Sequence, residues 1–267
     1  MIQPIDAVGR EIAEGIRGVF FDIDDTFTLN GRIPAASFRA LWDLWNAEIT
    51  TVPITGRPAG WCDHISRMWP VSGVVGENGA FYFRYDQGKK RLERRFFIEP
   101  EEAIQNRRRL RDIGDEILKR VPGSALASDQ EYRLFDVAID FTEDVPPLSR
   151  ESIQAICDIF AEYGVTYKVS SIHVNGWFGD YDKLTMTKLF AREVLSVDLE
   201  SMRDRYLFVG DSPNDEPMFS FFPHSVGVAN VKDFLDQMYH PPAYITEHPG
   251  GEGFSELIGL FLARRGK

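Results

Sequence analysis

The chain alternates between short, wholly apolar runs and longer stretches whose apolar residues recur at helical spacing. Val19-Phe20-Phe21 is apolar at every position and predicts a buried strand. Phe38, Leu41, Trp42, Trp45 and Ile49 share one helical face and predict an amphipathic helix over 35–48. Residues 51–54 and 71–75 predict two more strands. Strand and helix in alternation indicate βαβ units, hence a parallel sheet with helices on both faces.

The middle of the chain has a different rhythm. Residues 81–85 and 91–98 flank Asp86-Gln87-Gly88 and predict a hairpin. A charged helix is expected over 100–120, ending near Val121-Pro122-Gly123, and a strand over 132–141. A second helix is expected from Pro146-Pro147 to Tyr163, followed by strands at 165–169 and 172–178. After Lys183 the first rhythm returns, with a helix over 184–195, strands at 206–210 and 225–229, a short helix from Val231 and a last helix carrying Phe254, Leu257, Ile258 and Phe261. The expected architecture is α/β: a Rossmann-like parallel-sheet core at 1–83 and 179–267, with an inserted α+β module at 84–178.

Composition narrows the class. A chain of 267 residues admits one large or two smaller domains. With 43% hydrophobic and 27% charged residues it reads as globular rather than disordered. A net charge of -11 argues against nucleic acid or an anionic membrane surface as partner, but a few local cations suffice for one small phosphorylated ligand. Cys62 and Cys157 are too isolated for a disulfide framework and are expected as buried thiols. Residues 1–15 lack a secretory pattern and no apolar run is long enough to span a bilayer, so a cytoplasmic protein is the expectation.

Four pieces carry candidate chemistry. Asp22 and Asp24 end an apolar strand and point to the same side of it, where open α/β sheets bind ligands. Asp25 and Thr26 extend the cluster, whose oxygens suit Mg²⁺; a polar loop or helix cap is the competing reading. Gly210-Asp211-Ser212-Pro213-Asn214-Asp215 follows a second apolar strand and reads either as an acidic loop sharing that cation or as an Asn/Asp turn. Thr55-Gly56-Arg57 closes a third strand and combines groups that suit a phosphate, though an ordinary turn also accounts for it. Lys183, alone, indicates nothing.

In this order the four pieces resemble the motifs of the haloacid dehalogenase-like hydrolase superfamily: Asp22-x-Asp24-x-Thr26, Thr55, Lys183 and Gly210-Asp211-x-x-Asn214-Asp215. The inserted module resembles the large α/β cap of its type IIB, Cof-like members. Glu77-Asn78-Gly79-Ala80 and Gly250-Gly251-Glu252-Gly253-Phe254 resemble the branch that holds sucrose-, trehalose- and mannosyl-3-phosphoglycerate phosphatases. One departure is Asp25, where many relatives carry glycine.

The resemblance implies a Mg²⁺-dependent phosphatase acting on a small phosphate monoester, such as a sugar phosphate. Asp22 is implied as nucleophile and Asp24 as general acid and base. Mg²⁺ is implied on Asp22, Asp211 and the Asp24 carbonyl, with Asp215 beside it, while Thr55 and Lys183 hold the phosphoryl oxygens. Thr26, Gly56, Ser212 and Asn214 are supporting candidates. Arg57 and Asn78 are substrate candidates near the site. His173, Asn175 and Trp177 alternate along one cap strand and share a face, suited to a sugar or else turned to solvent. The basic runs Arg91/Arg94/Arg95 and Arg107-Arg108-Arg109 are expected as solvated surface. A phosphomutase of the same superfamily and a phospho-accepting regulatory module are the rival readings. Nothing in the sequence addresses oligomeric state.

Overall fold

The computed structural model describes residues 2–266. The chain begins with strand β1 (Gln3–Pro4), helix α1 (Arg10–Gly15) and strand β2 (Gly18–Phe21), followed by α2 (Ala35–Asn46), β3 (Thr50–Pro53), α3 (Ala59–Met68) and β4 (Val74–Gly76). A hairpin, β5 (Phe81–Asp86) and β6 (Arg91–Phe96), leads into α4 (Pro100–Arg120), β7 (Ala125–Leu126), β8 (Asp136–Asp140), α5 (Arg150–Glu162), β9 (Thr166–Val169) and β10 (His173–Trp177). The last third holds α6 (Lys183–Phe190), α7 (Leu199–Met202), β11 (Tyr206–Gly210), α8 (Glu216–Phe221), β12 (His224–Gly227), β13 (Tyr244–Ile245) and α9 (Gly250–Arg265).

The expected α/β architecture is present. Six parallel strands form one sheet in the order β1-β13-β12-β11-β2-β3. Both faces of β2 and β11 are covered, which is why these strands are apolar throughout. Val19, Phe21, Leu207 and Val209 point to one side, where they meet Phe254, Leu257 and Phe261 of α9. Phe20 and Phe208 point to the other, against Met186, Phe190 and Phe222. The chain runs outward from β2 to β3 in one direction and from β11 to β13 in the other. The crevice at the carboxyl ends of β2 and β11 is therefore the topological switch point.

The inserted region has a four-stranded antiparallel sheet, β7-β8-β10-β9, with α4 and α5 on one face. Leu110, Ile113 and Ile117 of α4 pack with Val137, Ile139, Ile156, Phe160 and Val174 on that face. The other face carries Asp136, Asp140, His173, Asn175 and Trp177, all buried, and it looks toward the parallel sheet rather than solvent. The hairpin joins a third small sheet, β4-β5-β6, and its Phe81, Phe83 and Phe96 pack among core residues such as Cys62 and Ile65.

Some expected elements differ: the strand expected over 71–75 begins only at Val74, and the short helix expected from Val231 is a 3-10 run over Ala229–Gln237. The helix expected from Pro146 begins at Arg150. A residue before proline is driven out of the helical region, so the chain stays extended through Pro147, and the Ser149 hydroxyl caps the helix by accepting from the Ser152 amide. The strand expected over 132–141 shortens to β8, because Leu134 and Phe135 direct their amides at the buried Glu77 carboxylate instead of a neighbouring strand. Both cysteines are buried and free, and both arginine runs are exposed. Among the described residues no helix is long and apolar enough to cross a membrane.

Phe208 sits centrally on β11, with ring centroids 5.5 Å from Phe219 and 6.3 Å from Phe222. Phe208→Ala is expected to lower unfolding free energy by about 3–5 kcal/mol, read from urea denaturation. A loss below about 1 kcal/mol would contradict this packing.

Candidate active site at the carboxyl edge of the parallel sheet

The carboxyl ends of three adjacent strands deliver the candidate residues. Phe21 pairs with Val209 on one side and Pro53 on the other, so Asp22, Asp211 and Thr55 leave the sheet at one level. The Asp22 amide donates to the Val209 carbonyl at 2.9 Å, and the Ile54 amide to the Phe21 carbonyl at 2.8 Å. Lys183 arrives at the start of α6, whose N-terminus is capped by the Asp182 side chain.

Lys183 is 2% exposed and its Nζ donates to Asp22 Oδ1 at 2.6 Å and Asp215 Oδ1 at 2.7 Å. Burial alone would lower its pKa, but Asp215 and Asp22 outweigh that and raise it, so the ammonium stays charged. The other oxygen of Asp215 accepts the Asp211 amide at 3.0 Å. A side chain at Gly210 would collide with that carboxylate, so glycine is required there. The Thr26 hydroxyl donates to Asp211 Oδ1 at 3.0 Å. Ser212 Oγ donates to the Asn214 side-chain oxygen at 2.9 Å, closing the loop on itself.

Asp22, Asp211 and Asp215 each place a carboxylate oxygen within 4.8 Å of the others, all buried. Three carboxylates and one ammonium leave two negative charges without water. Burial first, and then Asp215 and Asp24 against an opposing Lys183, push Asp22 up to about 8. Burial, with Asp22 and Asp215, raises Asp211 well above the ordinary carboxylate range. A hard divalent cation would supply the missing charge, and an all-oxygen donor set suits one. The Asp24 carboxylate is not in this cluster; it turns to Arg57.

Arg57 is expected as a substrate contact, and the structure gives it other partners. Its Nε and Nη2 donate to the Asp24 carboxylate at 2.8–3.0 Å. The same guanidinium reaches Glu143 at 2.6 Å and Asp129 at 3.3 Å, both from the inserted module. His173 Nε2 lies 3.0 Å from Glu143 Oε2, off the ideal hydrogen-bond direction. Asn175 donates to Asp136 at 2.8 Å, which in turn pairs with buried Arg133. Arg133 also donates to the Gly56 carbonyl at 2.8 Å, so module and core are bolted together beside Thr55. Thr55 is buried, with its hydroxyl accepting the Arg57 amide at 3.0 Å. Asn78 lies against Gly56 with φ of 54°, and among the described residues neither its side-chain nitrogen nor its side-chain oxygen has a partner.

The expected residues converge. Asp22, Asp24, Gly56, Arg57, His173, Asn175 and Asn214 line one narrow cleft. Widening it for a phosphate ester would require the module to shift. Sequence reasoning missed Asn230, whose side chain donates to the Asp25 carbonyl at 3.0 Å and Asp211 at 3.2 Å and accepts the Gly250 amide at 2.9 Å. Its signal is positional: it follows the carboxyl end of β12 at the same sheet edge. Asp129, Arg133 and Glu143 lie in irregular segments, where no periodicity marks them.

No family model matches the chain. It is 24% identical to a phosphoglycolate phosphatase of Methanobrevibacter smithii over 92% of this chain and 99% of that protein. Among solved structures, a Thermoplasma acidophilum protein superposes with a TM-score of 0.67 at 18% identity, covering 92% of this chain and 98% of that one. The sucrose-phosphatase of Synechocystis, solved with sucrose and phosphate, gives 0.62 at 16% identity over 92% and 98% of the two chains. A haloacid dehalogenase-like hydrolase of Bacteroides thetaiotaomicron gives 0.59 at 16% identity over 91% and 98%.

Two outcomes test the site. Mg²⁺ at about 100-fold its dissociation constant is expected to stabilise the protein by about 2.7 kcal/mol, seen as a thermal shift that Asp211→Asn largely abolishes. An equal shift in both proteins would exclude the carboxylate cluster as the binding site. The second concerns Glu143: burial alone would raise its carboxyl, but His173 and Arg57 bring it down from 4.5 to about 2. A depressed carboxylate contributes stability above its unfolded value and loses it as pH falls through the folded one. The stability gap between the native protein and Glu143→Gln is therefore expected to be full above pH 4.5 and to close toward pH 2, by urea unfolding across that range. A gap independent of pH would remove the charge from this account.

With these residues gathered at one switch point beneath an inserted α/β module, the chain has the fold seen in solved haloacid dehalogenase-like hydrolases.

Proposed function

We propose that this protein is a Mg²⁺-dependent phosphatase that hydrolyses a small phosphate monoester, a sugar phosphate or phosphorylated glycoside, through an aspartyl-phosphate on Asp22. The observation that carries the reading is the buried arrangement of Asp22, Asp211 and Asp215 around Lys183, 2.6 Å from Asp22, beneath a closed cap. The curated relative and the sucrose-phosphatase bear phosphatase names, which agrees with it.

Asp22 Oδ1 attacks phosphorus and displaces the alcohol. Asp24, oriented by the two-pronged grip of Arg57, gives the leaving oxygen a proton and later takes one from the water that hydrolyses the acyl phosphate. Lys183 and Thr55 bind phosphoryl oxygens, and Asp215 keeps Lys183 in place and charged. Asp22, Asp211, Asp215 and the Asp24 carbonyl would hold the cation, which when bound offsets repulsion between the nucleophile and the phosphate. The cap, drawn at residues 84–178, excludes water and presents His173 and Asn175 to the leaving group, with Asn78 of the core beside Gly56. An enclosing cap favours a small molecule over a regulatory partner protein.

The test is release of inorganic phosphate from p-nitrophenyl phosphate. Release is expected with Mg²⁺, is lost on chelation, and falls by at least about a thousandfold in Asp22→Asn. Undiminished turnover by a verified Asp22→Asn protein would falsify the nucleophile assignment.

A further inference from the structure

Asp25 has no part in the chemistry above, yet it is placed with care. Its φ is 53°, a left-handed conformation that glycine adopts freely and residues with side chains seldom do. The loop fixes it there: its amide donates to Thr28 Oγ1 at 2.9 Å, and its carbonyl accepts from Asn230 at 3.0 Å. That conformation directs its carboxylate into a chamber of about 380 Å³ that adjoins the reaction cleft and shares Asp24, Arg57 and Ser171 with it. A substrate with its phosphate at Asp22 would reach this chamber past Asp24.

The charges lining the chamber are unbalanced. Asp24, Asp25 and Glu143 contribute three carboxylates and Arg57 the one cation. The Arg57 guanidinium is already engaged by Asp24 at 2.8 Å and Glu143 at 2.6 Å. Among the described residues no ion pair reaches Asp25. Ser171 and Thr142 add neutral groups able to meet hydroxyls. His173, 2% exposed, lines the adjoining cleft with an Nε2 that has no well-directed partner.

We propose that Asp25 is a specificity-determining residue: its carboxylate rejects esters whose leaving group carries a negative charge close to the phosphate and admits those that end in hydroxyl or ammonium groups. This rests on the phosphatase reading above. Asp25 is partly buried, so its charge is screened less than that of a fully solvated carboxylate and discriminates between ligands of like size. The chain then differs in selectivity from a phosphatase built for a carboxylated ester, such as the one its curated relative is named for.

The test uses three two-carbon monoesters: phosphoglycolate, ethylene glycol monophosphate and phosphoethanolamine, with p-nitrophenyl phosphate as control. In the native protein kcat/KM for the hydroxyl and ammonium esters is expected to exceed that for phosphoglycolate by about tenfold or more. Asp25→Asn, which keeps the size and tolerates the left-handed backbone, and Asp25→Gly, which relieves it, are both expected to bring the ratio within about threefold of unity. Phosphoglycolate turned over as well as the others by the native protein overturns the proposal. So does an unchanged ratio in folded variants, and so does a change in Asp25→Gly alone, which would assign the effect to the backbone rather than the charge. Release from none of the three esters nor from p-nitrophenyl phosphate overturns the phosphatase reading, and the selectivity falls with it.

Discussion

Lys183 is an ammonium held away from water between two carboxylates, and most of the molecule can be read as what it takes to keep it there. Asp22 reaches it because β2 lies beside β11, and Asp215 because the turn after β11 folds back over Gly210. Neither carboxylate would tolerate such burial without the lysine, and the lysine would not tolerate it without both. Removing one partner of a buried pair strands the other, at a cost of about 3–5 kcal/mol. The charge still missing from this group is what makes it a candidate cation site rather than a structural ion pair alone.

A second network ties the inserted module to the sheet, and it too is ionic. Arg57 belongs to the core and spends its guanidinium on Asp24 of the core and on Glu143 and Asp129 of the cap. Arg133 belongs to the cap and reaches the Gly56 carbonyl. Glu77 takes amides from Ala59 of α3 and from Leu134 and Phe135 of the cap. Charged hydrogen bonds of this kind can be exchanged for water when the surfaces part, whereas a large apolar seam could not separate so readily. Apolar contact across the junction includes Phe81 against Phe135 at 6.0 Å and Tyr181 against Trp177 at 5.6 Å.

Much of the core was legible in the sequence, for a physical reason. Strands buried on both faces are apolar without a break, and acids directly after such runs have nowhere to be but the sheet edge, so Asp22 and Asp211 could be located from pattern alone. Lys183 could not; its role came from the order of motifs and became physical only when its two partners were seen. The face shared by His173 and Asn175 followed from strand alternation, but its direction did not, since alternation cannot say which face meets the core. Arg57 illustrates the remaining gap. Thr55-Gly56-Arg57 suggests phosphate binding, and only the fold reveals the cap carboxylates that occupy the arginine. Those carboxylates come from turns, where hydrogen bonds such as the Asp140 side chain to the Thr142 and Glu143 amides, both 2.8 Å, decide the geometry and leave no periodic trace.

Gly79 has a φ of 107° and lies so close to the Asp182 carbonyl that a side chain there would collide with it. The first of these residues precedes the β5–β6 hairpin, which still packs in the core, and the second follows the inserted module. The excursion between them is therefore a closed loop whose ends are held together by the core itself. Closing a loop becomes costlier only slowly as it lengthens. The size and contents of this one are thus nearly decoupled from the sheet beneath. No strand of the antiparallel module enters the six-stranded sheet, so lengthening, shortening or replacing the excursion leaves the strand order intact. Topologically, the parallel sheet and the antiparallel module are separate parts, and the chain's departure and return meet at one point.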